Sequence, residues 1–291
     1  MQGIIEDMPM KTYHAEESVS AHNLMDMDDS CEIADSDKKL HRARLLNNEE
    51  EKEAKALLEG TGIHFSVQAE TLDKIYEEYA VAPKARKNST EYKTWLTEVC
   101  GNRIPVSQAQ MDMFIGCREA TRKHSVATVM IENGKMERSG FCEIMGVKVK
   151  ARPDIDCMHV PASERYPCLV DIKSRQKKCA IQSKWLKDFY FYKTYLQAGL
   201  QILVWRHLGF DVQDYHYLLV EKEYPYKVNV IPLGVSWMHQ SIIEVHEVIS
   251  KWKDWQKTGS EECYALNQLP MEMPEWMERQ LNFSSAKVAI P

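Results

Sequence analysis

Apolar and polar positions change period near the middle of the chain, from a helical spacing to a strict alternation. Across residues 63–79, and again across 107–132, apolar side chains recur three and four residues apart, which gathers them on one face of a helix. Residues 45–58 read as a polar helix that Gly60-Thr61-Gly62 interrupts. A shorter helix is expected over 92–99, after a loop containing Ala82-Pro83-Lys84. Beyond Gly134 the pattern alternates: 137–145 and 147–155 form a hairpin about Gly146, and 167–172 is a short buried strand. Helical spacing returns over 182–208, two more strands follow over 214–221 and 227–231, and a last helix spans 236–257. The order of helices, three strands, helix, two strands and helix predicts an α/β (α+β) fold, a central mixed sheet flanked by helices.

The two ends of the chain fit no such pattern. Residues 1–40 are acidic and lack a sustained apolar period, so they read as a disordered leader. The body is then 41–258, and 259–291, with Pro270, Pro274 and Trp276, forms an irregular tail.

Charge sharpens this division. The net charge of −6 conceals a leader in which ten acidic residues up to Asp37 face Lys11 alone, leaving a mildly basic body. Such a body can hold a phosphate backbone where its cations converge, and the leader could mask that groove or meet a partner. No run approaches the about 18 apolar residues of a membrane span, and no basic-then-apolar signal opens the chain, so a cytoplasmic location without membrane contact is expected. The eight cysteines include no CxxC pair and read as free thiols.

The chemistry concentrates in 147–174. Asp154 and Asp171 end neighbouring strands, and Lys173 follows the second by two residues. Alternation puts Asp171 and Lys173 on one face while Ile172 points into the core. A hard cation such as Mg2+ takes oxygen ligands and keeps several waters, so both aspartates and the Ile172 carbonyl suffice to hold it against a phosphate. Lys173 can orient the attacking water and counter charge developing on phosphorus. Lys148, Lys150 and Arg152 alternate with apolar residues up to Asp154, and Arg175, Lys177 and Lys178 follow Lys173, so these six read as a sequence-neutral track for a DNA backbone.

Pro153-Asp154 with Asp171-Ile172-Lys173 resembles the PD-(D/E)XK nuclease signature. Further features narrow the resemblance: GTGIH at 60–64, EYAVAPK at 78–84, a long helix ending near His124, Glu137, and a later helix carrying YLQAG. In this order they resemble the RecE-type exodeoxyribonuclease VIII group of phages and prophages, over about 54–258. The resemblance implies a restriction-endonuclease-like core and a nuclease that resects one strand of linear double-stranded DNA in the 5′ to 3′ direction. It further implies His64 as an additional metal ligand, Glu137 and Gln197 as catalytic groups beside the metal, and Mg2+, replaceable by Mn2+, as cofactor. The partners it implies are double-stranded DNA ends, a RecT-like annealing protein and a homo-oligomeric ring of three or four copies. Some relatives carry an iron–sulfur cluster on a tight cysteine group near the C-terminus, but here only Cys263 lies in the last hundred or so residues. His124, Tyr192 and Tyr195 have weaker claims, because aromatics at that spacing usually pack in a core.

Other readings compete. An endonuclease or a single-strand nuclease would share the motif, and a binding protein could keep the fold without catalysis, although both aspartates and the lysine remain. A small-molecule α/β enzyme lacks support, for there is no P-loop, no GxGxxG after a strand and no GxSxG elbow.

Overall fold

A computed structural model describes residues 2–26, 55–159, 167–176 and 178–258. Its elements in chain order begin with β1 (Gly3–Ile5), α1 (Met10–Ala15) and α2 (Ala21–Asp26). Then come α3 (Lys55–Gln68), α4 (Leu72–Glu78), β2 (Tyr79–Val81), α5 (Thr90–Trp95) with a π-helical turn (Leu96–Cys100), and β3 (Ile104–Val106). The middle of the chain forms α6 (Gln108–Lys123), α7 (Ser125–Asn133), β4 (Lys135–Met136), β5 (Ser139–Ile144), β6 (Val147–Ala151) and β7 (Ile155–Asp156). Last are β8 (Cys168–Arg175), α8 (Gln182–Phe191), α9 (Thr194–His207), β9 (Asp214–Glu221), β10 (Val228–Pro232) and α10 (Val235–Thr258).

Five strands form the central sheet in the order β10-β9-β8-β7-β4, in which β8 and β9 run parallel and the other neighbours antiparallel. The mixed sheet between helices is the expected one. Its register follows from the alternation in β8: Cys168, Val170 and Ile172 face a core shared with Ile63, Phe114 and Ile131 of α3, α6 and α7, whereas Leu169 joins the opposite core. That second core holds α9, which is buried nearly all round from Thr194 to Trp205, as a helix must be when it lies between a sheet and an outer helix, here α10. Gly199 makes that approach possible, since a Cβ there would stand 2.6 Å from the Ser241 carbonyl oxygen.

Several boundaries move, each for a local reason. Gly60-Thr61-Gly62 does not end a helix but lies inside α3, because tertiary contact overrides the weak propensity of glycine. A Cβ on Gly62 would sit 2.1 Å from the Phe114 ring, so glycine lets α3 close on α6. The single helix expected over 107–132 divides at His124, whose Nδ1 accepts from Ala127 N and so caps α7. A capping box of Ser107 and Gln110 starts α6. The helix over 182–208 divides at Lys193, which is left-handed at φ 44°. The strand over 137–145 breaks at Glu137, φ 51°, where the chain leaves the central sheet for a second one, β1-β5-β6.

The leader is a larger correction. Residues 2–26 are built into the fold: β1 pairs antiparallel with β5, Val19 bridges to Val149, and Met8, Tyr13 and Leu24 are buried. Its acidic character misled because the cations that hold it, Lys135, Arg138, Lys150 and Arg152, lie more than a hundred residues away in sequence. The rest of the expected leader, most of the helix over 45–58, and the tail lie outside the described residues.

Candidate active site

Asp154 follows β6 at the point where the chain crosses into the central sheet, and Asp171 lies within β8. The β7–β8 ladder, pairing Ile155 with Val170, brings them together. Asp154 Oδ2 accepts from Ile172 N at 2.5 Å, so one carboxylate is tied directly to the strand bearing the other. Both are buried, Asp171 being 1% exposed.

Around Asp171 three groups close a ring. Its Oδ1 accepts from Gln197 Nε2 at 2.8 Å, and Gln197 Oε1 accepts from Lys173 Nζ at 2.8 Å. Lys173 Nζ lies 2.5 Å from Asp171 Oδ2, an ion pair off hydrogen-bonding geometry that leaves this buried oxygen without a hydrogen bond. Gln197 thus touches both side chains and fixes where they point.

Around Asp154 the partners come from α3 and the Glu137 break. His64 Nδ1 lies 3.6 Å from Asp154 Oδ1. Gln68, one turn further along α3, donates through Nε2 to Glu137 Oε1 and to the Asp154 carbonyl, both at 3.1 Å. Glu137 N also donates to that carbonyl, and Glu137 Oε2 lies 3.9 Å from Arg152. The left-handed backbone of Glu137 is the kind of local strain found at functional sites.

Proton affinities reflect this crowding. Burial, and then the charge of Asp154, push the Glu137 carboxyl up to about 7. Burial likewise raises Asp171, outweighing the pull of Lys173. Asp154 goes the other way: burial would raise it, but His64, Lys173 and the Ile172 amide together hold it below the usual carboxylate range. Burial would lower His64, yet the charge and hydrogen bond of Asp154 raise it on balance.

These donors fit a hard divalent cation. Among the described residues no three His, Cys, Asp or Glu side chains already converge as ligands. Mg2+ does not require that, because it keeps several waters and binds through one or two carboxylates plus substrate phosphate. The raised Glu137 and Asp171 carboxyls are what clustered acids show when only a lysine, a histidine and an arginine balance them.

The expected basic track fares unevenly. Lys148 and Lys178 are exposed, and Arg175 stacks 5.3 Å from the Tyr192 ring on the strand face that carries Asp171 and Lys173. Lys150 and Arg152 are not free for DNA, which corrects their assignment. Lys150 Nζ donates to the carbonyls of Tyr13, His14 and Glu16, and Arg152 donates to the Met8 carbonyl while lying 4.2 Å from the Tyr13 ring. A buried cation needs such partners, and the leader supplies them. Lys177 lies outside the described residues. Tyr195 packs between Phe189 and Trp237 in the core. Gln68 and Gln201 were missed, although each stands four residues from a residue already singled out, His64 and Gln197. Gln201 donates to the Arg152 carbonyl and accepts from the Tyr215 hydroxyl.

The profile of a family described as a PDDEXK-like domain of unknown function matches residues 18–267. The crystal structure of a protein from Eubacterium rectale described as a candidate exonuclease is similar with a TM-score of 0.59 and 12% identity, covering 98% of this chain and 100% of that one. This is a likeness of fold. No curated protein sequence matches the chain.

Proposed function

Because the chain belongs to the PDDEXK-like family, we propose that it is a Mg2+-dependent DNA exonuclease, hydrolysing phosphodiester bonds from the ends of linear double-stranded DNA in the 5′ to 3′ direction. The observation that carries this reading is the pair of buried aspartates joined through the Ile172 amide, with Lys173 on the strand face of the second. Asp154, Asp171, the Ile172 carbonyl and His64 are the groups that would hold the cation, Mg2+ or Mn2+. When bound, the ion supplies Lewis-acid polarisation of the phosphate and lowers the pKa of the attacking water.

The remaining work falls to side chains already in place. Lys173, aimed by Gln197 and Asp171, orients the water and offsets negative charge as the bond to phosphorus forms. Glu137, held beside Asp154 by Gln68, can exchange a proton with water there. Arg175 and Lys178 would contact backbone phosphates without reading bases. The single-stranded product suits recombination by strand annealing, with a RecT-like protein as partner and a ring of copies around the DNA as the source of processivity. Both partners rest on the RecE-type resemblance.

Linear duplex DNA labelled separately at its 5′ and 3′ ends tests the reading, with Mg2+ or EDTA and beside Asp171→Ala and Lys173→Ala. Mg2+-dependent loss from the 5′ ends that either substitution abolishes is the expected result. An inert wild-type protein that still binds DNA would replace the reading with a binding module.

A further inference from the structure

We propose that residues 8–22 act as a stop beside the catalytic centre, so that a DNA strand reaches Asp154 by its end and cannot run on past it. The inference rests on the nuclease reading and assigns its end dependence to a particular segment.

The direction of the path follows from α9, which runs antiparallel to β8. Arg175 lies by Tyr192 just before α9, Asp171 and Lys173 meet Gln197, and one turn later Gln201 reaches the Arg152 carbonyl and Tyr215, the partner of Leu169. Arg175 and Arg152 therefore stand at opposite ends of the site. At the Arg175 end cations remain available, Lys178 being exposed.

At the Arg152 end the same kind of track is filled by protein. Residues 8–22 cross β6 and are tied at several points. Val19 N donates to the Lys148 carbonyl and Lys150 N to the Val19 carbonyl, each at 2.9 Å. The Lys150 ammonium holds the three carbonyls of Tyr13, His14 and Glu16, and Arg152 holds Met8 and the face of Tyr13. Ahead of this, Glu6 pairs with Lys135 and Arg138. A phosphate backbone continuing past Asp154 would have to displace these contacts.

What is left is a cavity of about 580 Å³, with Met8, Tyr13 and His22 on one side and His64, Asp154 and Gln197 on the other. That volume lies within the about 300–1,000 Å³ of sites that hold one small ligand, so it suits the last nucleotides of one strand.

The test compares linear and covalently closed circular double-stranded DNA of one sequence, with Mg2+ and the full chain. Wild type should cut the circle at least ~100-fold more slowly than the linear form. Deleting residues 2–20 should raise the circle-to-linear ratio at least ~10-fold. Since that deletion also removes buried side chains, the Tyr13→Ser, Lys150→Met double variant is measured beside it, with circular dichroism to confirm folding. A wild type that cuts the circle as fast as the linear form, or a folded variant that keeps full discrimination, overturns the stop while leaving the nuclease reading intact. Inactivity on both substrates overturns the nuclease reading, and the stop with it.

Discussion

Gln68 and Gln197 hold the carboxylate cluster from two helices, each bonded to two groups of the site at once. Residues that orient metal ligands typically cost about 10–100-fold in affinity or activity when removed. Gln68→Leu and Gln197→Leu should each lower activity by that factor with the fold retained, and titrating activity against Mg2+ should separate weaker metal binding from slower turnover. Lys150 makes a different prediction. Burial brings its ammonium down to about 8, below the usual lysine value. Between about pH 8 and about 10.5 the unfolded chain would keep a proton that the folded chain has released, so this side chain contributes stability that grows with pH across the window and is flat below it. The Tm of wild type relative to Lys150→Met should therefore rise from pH 8 to 10, and a constant difference would refute the assignment. Asp171 and Lys173 were legible at this scale because strand alternation puts them on one face, and Asp154 through the resemblance of Pro153-Asp154 to the nuclease signature. The glutamines were not, because their partners lie 24 to 86 residues away and only packing brings them together.

Among the elements, β8 and β9 were readable because alternation reports directly which face is buried. α3 was not: Gly60-Thr61-Gly62 looks like a break unless the Phe114 ring beyond it is known. Gly62→Ala sets two effects against each other. Alanine adds about 0.5–1 kcal/mol of helix propensity, whereas a Cβ 2.1 Å from a fully buried ring costs about 1–3 kcal/mol of overpacking. The clash should win by about 1 kcal/mol. Chemical denaturation should show the loss, and Phe114→Leu in the same chain should recover part of it, since it removes the ring that the new methyl meets.

For the whole molecule, the layered order of a mixed sheet between helices followed from the succession of periods, and the second sheet did not, because β1 belongs to a stretch with no period of its own. No helix among the described residues is long and apolar enough to cross a membrane. The proposed metal site would bear on global stability as well as activity. Mg2+ at about 100 times its dissociation constant should stabilise the native state by about 2.7 kcal/mol, roughly 5 °C in Tm, and should do nothing for Asp171→Asn. A thermal scan with and without the ion checks both.

Pairing of Gly3 with Phe141 and of Val19 with Val149 has a consequence for the order of events in folding. The segment synthesised first finds its partners only after about 130 more residues have emerged, and closing so long a loop is slow. The β5–β6 hairpin, whose strands are neighbours in sequence, can form before the segment docks. A newly made chain thus passes through a stage in which Lys150 and Arg152 are still bare, and the proposed stop would be the last part of the site to form.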